Sequence, residues 1–364
     1  MTRRSDSGMN GTTLMHAKIT SAYCKLSLLA LTGAALFLTS NMASAAKTEY
    51  PLTIKNCGRD ITFNHAPKRV TTVGQNSTEI LYSLGLADRV VGTSLWFGPV
   101  PEQYKAANDK IAVIAQNIPS FEGIIAKKPD LVASQFEWQI GPAGTVASYE
   151  QFSELHVPVY TAPADCAKDN EDGGDGVRKS MFDIAMVYQE IADLAKIFDV
   201  QDKGDELIAS LKAREAAAKA KIAGMDNHVS AVFWFSSADL QLDPYVAGKF
   251  GPAAWIAQSL GVKNVIDSAE EWPTVGWETI AKANPSVIVL GEMGRRRFPA
   301  DDWKVKMEYL TSDPVTRLIP AVKENHLPVI DVQTMNAGIR TIDGLEKLAD
   351  ALVQYGLAHP QTTH

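Results

Sequence analysis

The segment Val177–Val200 reads VRKSMFDIAMVYQEIADLAKIFDV. Its apolar side chains recur at three- and four-residue steps and its charged side chains fill the other faces, which is the pattern of an amphipathic helix. The segment contains neither Gly nor Pro. At about 1.5 Å per residue, roughly 23 residues would extend about 35 Å. We therefore expect a rigid helix that connects two lobes.

Similar motifs stand on both sides of this segment. Residues 121–133, FEGIIAKKPDLVA, match residues 277–289, WETIAKANPSVIV: an aromatic residue, Glu, a short helical pattern, Pro seven residues after the Glu, and an apolar strand. Two further pairs occur in the same order, namely Ser83–Leu86 with Ser259–Val262 and His156–Val159 with His326–Val329. Three ordered matches indicate that the chain contains two related lobes.

Strand-like and helix-like segments alternate in the rest of the chain. Short apolar runs such as 69–73 and 287–290 read as buried strands, with helical patterns between them. This alternation predicts parallel sheets with helices on both faces. We expect an α/β fold of two Rossmann-like lobes joined by a single long helix, with an N-terminal lobe at 46–176, the connecting helix at 177–200 and a C-terminal lobe at 201–364.

Residues 1–45 have the layout of a secretory signal peptide. Two lysines precede an apolar run at 26–38, and Ala43–Ala45 supplies the small residues of a cleavage site. The run is too short to span a bilayer. In a lipoprotein signal the cysteine that carries the lipid follows the apolar run, whereas Cys24 precedes it. We therefore expect a soluble protein of the periplasm that begins at Ala46. A buried N-terminal helix is the alternative.

The acidic charge of the chain limits its partners. The formal net charge is −7, and removal of residues 1–45, which carry three net positive charges, leaves −10. A surface this acidic argues against nucleic acid and against anionic membranes as partners. The remaining 319 residues exceed what one hydrophobic core usually holds, which again favours two domains. We expect the protein to be a monomer.

Two cysteines, Cys57 and Cys166, remain after cleavage. In an oxidising compartment a disulfide between them is the default expectation. Both precede the segment Val177–Val200, so the bond would lie within the first lobe. Two free thiols are the alternative.

The chain contains no catalytic signature. It has no phosphate-binding loop with Lys, no nucleophile elbow and no pair of His on one helical face beside a Glu. The seven histidines are scattered, and His156 and His326 read as packing or edge residues of equivalent strands. Without clustered His and Cys, nothing supports a bare metal site. We therefore expect neither catalysis nor a resident metal or cofactor.

Several motifs together resemble one protein family. They are PKRV at 67–70, STEIL at 77–81, LGLADRVVG at 84–92, and the two matching stretches 122–132 and 277–289. These motifs closely resemble those of the periplasmic binding proteins of ABC importers for iron–siderophore complexes and corrinoids. The resemblance covers nearly all of the chain after residue 45. It implies two Rossmann-like lobes, a single connecting helix and a ligand held in the cleft between the lobes.

The resemblance also assigns a role to Glu122 and Glu278. In that family one exposed Glu on each lobe docks onto arginines of the membrane permease, and these two residues stand at the matching positions. Equivalent carboxylates on two lobes suit a two-fold symmetric permease, and exposed charges orient docking. The alternative is that each Glu only opens a helix, where a carboxylate favours the positive end of the dipole. Glu79, within an earlier helix, is a weaker rival.

Loops at the carboxyl ends of the predicted strands should line the cleft. Their side chains offer aromatic faces that stack on a flat chelate and guanidinium groups that bind its oxygens. The candidates are Trp96, Trp138, Trp234 and Tyr245 for stacking, and Arg295, Arg296, Arg297 and Arg340 for the oxygens. Buried core aromatics and a solvated arginine face are the alternatives. Glu137 and Glu292 occupy equivalent loops and suit a cationic group or a metal with open positions.

We therefore expect a non-enzymatic receptor for a small-molecule metal chelate, with a ferric siderophore as cargo and an ABC transporter permease as partner. Corrinoid and haem are the alternatives within the class. Haem would require an axial Tyr or His, for which Tyr245 is the candidate. An exported two-domain α/β enzyme is the alternative from another class, and it would convert the chelate chemically rather than bind it unchanged.

Overall fold

The computed structural model describes residues 46–170, 175–225 and 228–360. The predicted signal peptide, residues 1–45, lies outside the described residues. The strands are β1 Leu52–Asn56, β2 Arg59–Phe63, β3 Val70–Val73, β4 Val90–Ser94, β5 Val113–Ala115, β6 Leu131–Ser134, β7 Val159–Thr161, β8 Lys168–Asp169, β9 Val177–Arg178, β10 Ile222–Met225, β11 Ser230–Ser236, β12 Tyr245–Val246, β13 Lys263–Asn264, β14 Val287–Glu292, β15 Val329–Asp331 and β16 Ala358–Pro360. The α-helices are α1 Gln75–Ser83, α2 Glu102–Asn108, α3 Phe121–Ile125, α4 Tyr149–Glu154, α5 Pro163–Cys166, α6 Ala185–Ile197, α7 Gln201–Ala220, α8 Pro252–Ser259, α9 Trp277–Ala283, α10 Trp303–Ser312, α11 Pro320–Lys323 and α12 Thr341–Gln354.

The N-terminal lobe is built on a parallel sheet with strand order β5-β4-β3-β6-β7. Its central strands β3 and β6 are buried along their whole length, which explains why they read as apolar runs without alternation. The chain moves outward from β3 to β5 and then returns to the other side of β3 with β6. This reversal creates a topological switch point beside β3, where α/β sheets open a crevice.

The C-terminal lobe repeats this arrangement with one change. Strands β11, β14 and β15 are parallel neighbours, and β13 also pairs parallel with β11. The difference is β12, which pairs antiparallel with the end of β11 and forms an edge of the sheet. The expected α/β fold with two lobes is confirmed, although the second sheet is mixed rather than purely parallel.

The motif repeat read from the sequence has a structural counterpart. Helices α3 and α9 precede the equivalent strands β6 and β14. Each helix is followed by a residue with left-handed backbone geometry, Lys128 with φ 49° and Asn284 with φ 54°, directly before Pro129 and Pro285. Proline disfavours helical geometry in the residue before it. The same local signal therefore stops both helices and turns the chain into a buried strand.

The expected connecting helix at Val177–Val200 is wrong in its bounds. The helix α6 covers only Ala185–Ile197. Residues before it follow an extended path against the other lobe: Arg178 N donates to Ala269 O at 3.0 Å, and Phe182 N donates to Phe250 O at 2.7 Å. Because these backbone groups are already paired outside a helix, the helical pattern of the sequence is overridden. At its other end α6 stops before Asp199, whose φ is 57°.

A pair of helices therefore replaces the single expected rod. α6 packs on α7, and α7 packs on α12 of the C-terminal lobe. The largest apolar core runs through both lobes and this helical pair, and it includes Val70 and Leu131 together with Ala231 and Val287. In the described part of the chain, none of the helices is long and apolar enough to cross a membrane.

The predicted disulfide is present. Cys57, in the turn between β1 and β2, is bonded to Cys166 at the end of α5, and the two cysteines are 109 positions apart in sequence. The hairpin is thereby tied to the N-terminal lobe. Asn56 adds two hydrogen bonds to the backbone of Thr161, at 2.7 and 2.8 Å.

Candidate functional site

The carboxyl ends of the parallel strands in one lobe face those of the other lobe. Gln75, which follows β3, accepts a hydrogen bond at Oε1 from Nε2 of Gln333, which follows β15, at 3.0 Å. Phe97, which follows β4, meets Phe235 near the end of β11 with ring centroids 6.5 Å apart. Crevices at such strand ends are the usual ligand sites of open α/β sheets. We call this space the interlobe cleft.

Five aromatic side chains line the cleft from both lobes. Phe97 contacts Phe136 at 6.4 Å between centroids, and Phe136 contacts Trp138 at 6.0 Å. From the other lobe, Phe235 packs on Trp272 at 4.4 Å. We call these residues the aromatic cluster. Ring faces and edges of this kind provide apolar contact area with defined geometry.

Two adjoining cavities open beside the aromatic cluster. The larger has a volume of about 570 Å³ and is lined by Glu137, Trp138, Pro142, Ala143, Cys166, Ala167, Lys168, Asp169, Asn170 and Lys179. The smaller has about 310 Å³ and is lined by Asp169, Asn170, Asp175, Gly176, Val177, Glu270, Glu271 and Trp272. Because they share Asp169 and Asn170, we treat them as one ligand cavity with walls from both lobes. Its combined size suits a drug-sized molecule.

The Glu137 carboxylate is held in place on the wall of the ligand cavity. Its Oε1 accepts a hydrogen bond from the Tyr149 hydroxyl at 3.0 Å, and its Oε2 accepts one from Asn170 Nδ2 at 3.1 Å. The Tyr149 ring is itself fixed by the Arg59 guanidinium, 3.4 Å from the ring centroid. Both donors to Glu137 are neutral groups, and Arg59 interacts electrostatically with this carboxylate without a hydrogen bond to it.

Buried ion pairs form the floor between the lobes. Lys168 contacts Asp165 at 2.5 Å and Asp175 at 2.8 Å, and Arg178 binds Glu271 of the C-terminal lobe at 2.6 Å. Burial raises the pKa of Asp165 to about 6, against the opposing effect of Lys168. The Arg178–Glu271 pair crosses from the segment before α6 to the C-terminal lobe. It fixes the two walls of the cavity relative to each other.

A second polar group of residues joins the lobes beside the aromatic cluster. Arg340 binds Glu79 through Nε at 2.8 Å and Nη2 at 2.5 Å, and it binds Asp331 through Nη1 at 2.9 Å. Gln75 donates to Glu79 at 2.9 Å and accepts from Gln333. We call these five residues the interlobe network. Arg340 was expected to hold ligand oxygens, but its guanidinium is occupied by these carboxylates.

Two buried charged residues, Lys306 and Asp301, support the loop that carries the three consecutive arginines and the strand ends next to it. The Lys306 ammonium donates to the carbonyl oxygens of Trp234, Phe235 and Gly291 at 3.0, 2.6 and 2.5 Å. Burial lowers the pKa of Lys306 to about 7, although Asp301 acts in the opposite direction. The Asp301 carboxylate accepts from the backbone N–H groups of Arg297 and Phe298. Side chains and backbone of this loop are therefore held at the ends of β11 and β14.

The three arginines of this loop have different contacts. Arg295 lies against the cleft, its guanidinium 4.6 Å from the Phe97 ring centroid and 2.8 Å from Asn117 Oδ1 of the other lobe. Arg296 instead binds Glu292, at 3.4 Å, on its own loop. Arg297 is exposed. Of these three, Arg295 is therefore the one that lies against the cleft, and Glu292 is engaged with Arg296 rather than facing Glu137.

The four aromatic candidates lie in different environments. Trp138 lines the ligand cavity. Trp96 is half-buried and donates to Thr93 Oγ1 at 2.9 Å, and Tyr245 is half-buried opposite Ser236 on the edge strand β12. The expectation for Trp234 is wrong because this residue is completely buried in the core of the C-terminal lobe. Its indole donates to Ser236 O at 3.0 Å, so it cannot reach a ligand.

Sequence reasoning missed the loop that carries Glu270, Glu271 and Trp272. This loop follows the short parallel strand β13 and precedes α9. It therefore lies at the carboxyl end of a parallel strand, the same rule that located the other loops. The second omission is the segment Cys166–Asn170, which reads as a solvated loop but forms a wall of the ligand cavity.

Glu122 and Glu278 occupy equivalent, exposed positions on the two lobes. Each is the second residue of its helix, α3 or α9, and each helix leads into the strand beside the central strand of its sheet. A helix that connects parallel strands begins at their carboxyl edge, so both residues lie on the cleft side of their lobes. Neither carboxylate has a hydrogen-bonding or ionic partner among residues 46–170, 175–225 and 228–360.

Comparison with known families identifies this architecture. Residues 70–334 match the family model described as periplasmic binding protein. The chain belongs to the periplasmic binding protein family. The matched residues contain both sheets, the ligand cavity and both exposed glutamates, whereas Arg59 and Arg340 lie outside them.

Individual members of the periplasmic binding protein family are distant relatives. The chain is 27% identical over 315 residues to an uncharacterised ABC transporter substrate-binding lipoprotein of Bacillus subtilis, covering 84% of this chain and 87% of that protein. It is 25% identical over 271 residues to the vitamin B12-binding protein of Vibrio parahaemolyticus, covering 72% and 81% of the two chains. A crystal structure described as an ABC-type Fe³⁺-hydroxamate transport system from Saccharomonospora viridis superimposes with a TM-score of 0.66 at 26% identity, covering 84% and 99%.

Proposed function

We propose that this periplasmic binding protein captures a ferric siderophore in the interlobe cleft and delivers it, unchanged, to the permease of an ABC importer. The observation that carries the proposal is the ligand cavity, which has walls from both lobes and lies beside the aromatic cluster. Likeness to the Fe³⁺-hydroxamate transport protein supports the class of cargo. Export to the periplasm remains part of the proposal and rests on the sequence of residues 1–45.

The side chains of the cleft favour cargo whose metal is already fully coordinated. In the described part of the chain, no three His, Cys, Asp or Glu side chains gather in a way that could hold a metal ion. Of the five described histidines, those at positions 65, 156, 228 and 326 precede strands β3, β7, β11 and β15, at the edge opposite the cleft, and His359 lies in β16. A siderophore satisfies the metal with its own oxygens, and the protein then needs only to bind the outer surface of the chelate.

Corrinoid is the second candidate, because a vitamin B12-binding protein is among the relatives. The structure supports haem less well than the other two ligands. Tyr245, the candidate axial ligand, lies on the edge strand β12 rather than on the wall of the ligand cavity. Titration of the protein that begins at Ala46 with ferric siderophores, cobalamin and haem, followed by tryptophan fluorescence, separates these three. A one-to-one complex with a ferric siderophore is the expected result. Chemical conversion of the chelate would instead support the enzyme alternative.

We propose that Glu122 and Glu278 dock the loaded protein onto the permease. The Glu122→Ala/Glu278→Ala variant should keep its ligand affinity and lose uptake in cells. The matched control is Glu102→Ala/Glu150→Ala, since Glu102 and Glu150 are also exposed glutamates in the first turns of helices that lead into parallel strands. Reduced ligand affinity in the first variant, or equal loss of uptake in both, would contradict the docking role.

A further inference from the structure

The charges that line the ligand cavity are unbalanced. Carboxylates outnumber ammonium groups five to two, the acids being Glu137, Asp169, Asp175, Glu270 and Glu271 and the bases Lys168 and Lys179. Arg178, paired with Glu271, adds one further positive charge. Since Lys168 is likewise paired with the buried Asp165, the carboxylates of the cavity and its surroundings outnumber the positive groups paired with them. A low-dielectric cleft lined by one sign of charge favours ligands of the opposite sign.

The two buried positive groups of the cavity are committed to protein carboxylates, whereas the Lys179 side chain is 83% exposed. Lys168 lies between Asp165 and Asp175, with its side chain 2% exposed, and Arg178 is bound to Glu271 with its side chain 3% exposed. Lys179 is 3.3 Å from Asp169. Glu137 differs from these paired acids, because its two hydrogen bonds come from the neutral groups of Tyr149 and Asn170.

Fixed orientation makes Glu137 suitable for recognition. Both of its oxygens are positioned by side chains that are themselves packed, and its backbone N–H donates to Asp165 Oδ2 at 2.5 Å. Each carboxylate oxygen has more than one acceptor site, so each can still accept a donor from a ligand. A preorganised carboxylate of this kind binds an ammonium group without losing side-chain freedom of its own.

We infer that Glu137 binds a cationic group of the cargo, and that the cargo is a positively charged chelate of the hydroxamate class with a free ammonium group. The inference rests on the proposed siderophore function and adds the charge class of the ligand. Three singly charged hydroxamates neutralise Fe³⁺, so an amine on such a chelate makes it a cation. Three doubly charged catecholates leave a complex of charge −3, which the acidic cavity disfavours.

The positions of the other groups define how such a chelate lies. Arg295 lies against the Phe97 ring in the middle of the aromatic cluster, whereas Trp138, beside Glu137, is at one end of it. The oxygen-rich chelate centre lies against the aromatic cluster within reach of Arg295. Its ammonium group extends past Trp138 into the acidic ligand cavity, where it meets Glu137.

The test compares two ligands that differ only in this charge. One is a linear ferric tris-hydroxamate with a free terminal amine, and the other is the same chelate with that amine acetylated. A hydrogen bond to a charged group contributes about 1.5–3 kcal/mol, which corresponds to a preference of roughly 10- to 100-fold for the free amine. Fluorescence titration of the protein that begins at Ala46 measures both affinities. A ferric tris-catecholate serves as the anionic comparison and should bind more weakly than either.

Glu137→Gln keeps the shape of the side chain and removes its charge. The preference for the free amine should fall to about two-fold or less in this variant, and the matched Glu150→Gln variant, altered at an exposed position on α4, should keep the full preference. A second test varies the salt concentration and needs no variant. Raising the salt concentration from about 0.05 to about 0.5 M should weaken the preference of the unaltered protein for the free amine, because ions screen the charge interaction.

The outcomes separate the inference from the proposed function. Equal affinity for the two hydroxamates, a preference that survives Glu137→Gln, or tightest binding of the tris-catecholate would overturn the inference while leaving a siderophore receptor in place. Failure of all three ferric chelates to bind would instead overturn the proposed function itself. A salt-dependent preference that disappears in Glu137→Gln and persists in Glu150→Gln supports both.

Discussion

The guanidinium of Arg340 in the C-terminal lobe binds the carboxylate of Glu79 in the N-terminal lobe through two hydrogen bonds, at 2.8 and 2.5 Å. The Glu79 side chain is 2% exposed and that of Arg340 is 14% exposed. Geometry of this kind, with two parallel bonds between planar groups, is the strongest arrangement that these side chains form. Together with the Arg178–Glu271 pair, it holds the two sides of the cleft together by charge.

Arg340→Met should destabilise the protein markedly, because Glu79 and Asp331 would remain without their shared cation. Loss of one partner of a buried ion pair typically costs about 3–5 kcal/mol of unfolding free energy. Urea unfolding followed by circular dichroism measures this change. The double variant Glu79→Met/Arg340→Met should recover part of the loss, since it removes the unpaired carboxylate as well.

Arg214→Met is the matched control for this prediction. Arg214 also contacts two carboxylates, those of Asp343 and Glu346, but its side chain is 40% exposed. Exposed ion pairs contribute about 1 kcal/mol or less each. Equal destabilisation by Arg340→Met and Arg214→Met would show that burial of the interlobe pair has no special importance.

Replacement of both cysteines, Cys57→Ser/Cys166→Ser, should lower the unfolding free energy by about 2–4 kcal/mol, because the disulfide closes a long loop and restricts the unfolded chain. A thermal melt with and without a thiol reductant checks the cause. Reductant should lower the melting temperature of the unaltered protein and leave the variant unchanged. A reductant-induced shift of the same size in both would place the effect elsewhere.

The unfolding free energy should fall as pH rises from about 4.5 to about 8, in part because of Glu190. Burial raises the pKa of Glu190 to about 8 from its ordinary 4.5, against hydrogen bonds from Ser77 and Asn76. Between these values the folded protein retains a proton that the unfolded chain has released. The stability that this group contributes is therefore fully present below pH 4.5 and is lost as pH approaches 8.

Glu190→Gln should flatten this dependence, since the amide has the same shape and does not titrate. Chemical denaturation at several pH values across the window compares the two proteins. Glu206→Gln, which alters an exposed residue on the neighbouring helix α7, should leave the slope as it is. An unchanged slope in Glu190→Gln would mean that the carboxyl is ionised in the folded protein.

Ligand binding should quench the fluorescence of two of the seven tryptophans in particular. Trp138 and Trp272 line the ligand cavity, so a ferric chelate would lie close to both indoles. Trp138→Phe/Trp272→Phe should remove most of the quenching amplitude, and Trp303→Phe, altered on α10 outside the cavity, should retain it. Full quenching in the double variant would place the cargo in another part of the molecule.

Sequence patterns predicted the features of this fold that depend on neighbouring residues. The repeat around Glu122 and Glu278 can be recognised in the sequence because its aromatic residue, helix and Pro lie within a dozen residues of one another. Both copies form a short helix that leads into a buried strand. Trp234 and Phe235 show where such patterns fail. Alternate residues of a strand point to opposite faces, and in a strand buried on both faces the sequence does not show which face is the cleft.

Long-range contacts account for the other misassignments. Arg178 reads as an exposed residue of an amphipathic helix, yet it pairs with Glu271, 93 residues later in the chain. No local pattern contains that partner. The ion pair, together with the hydrogen bonds of Arg178 and Phe182 to the C-terminal lobe, keeps this segment extended, and the helix therefore starts at Ala185.

Because one apolar core runs through both sheets and the helical pair, we expect that neither half of the chain folds alone. Val70 and Val287 belong to the same buried cluster, as do side chains of α6 and α12. A fragment that ends at residue 184 would expose the surface of the N-terminal lobe that α6 normally covers, and the complementary fragment would expose the apolar face of α6. Each half, produced alone, should be insoluble, and the two should regain structure only when synthesised together as a complementing split pair.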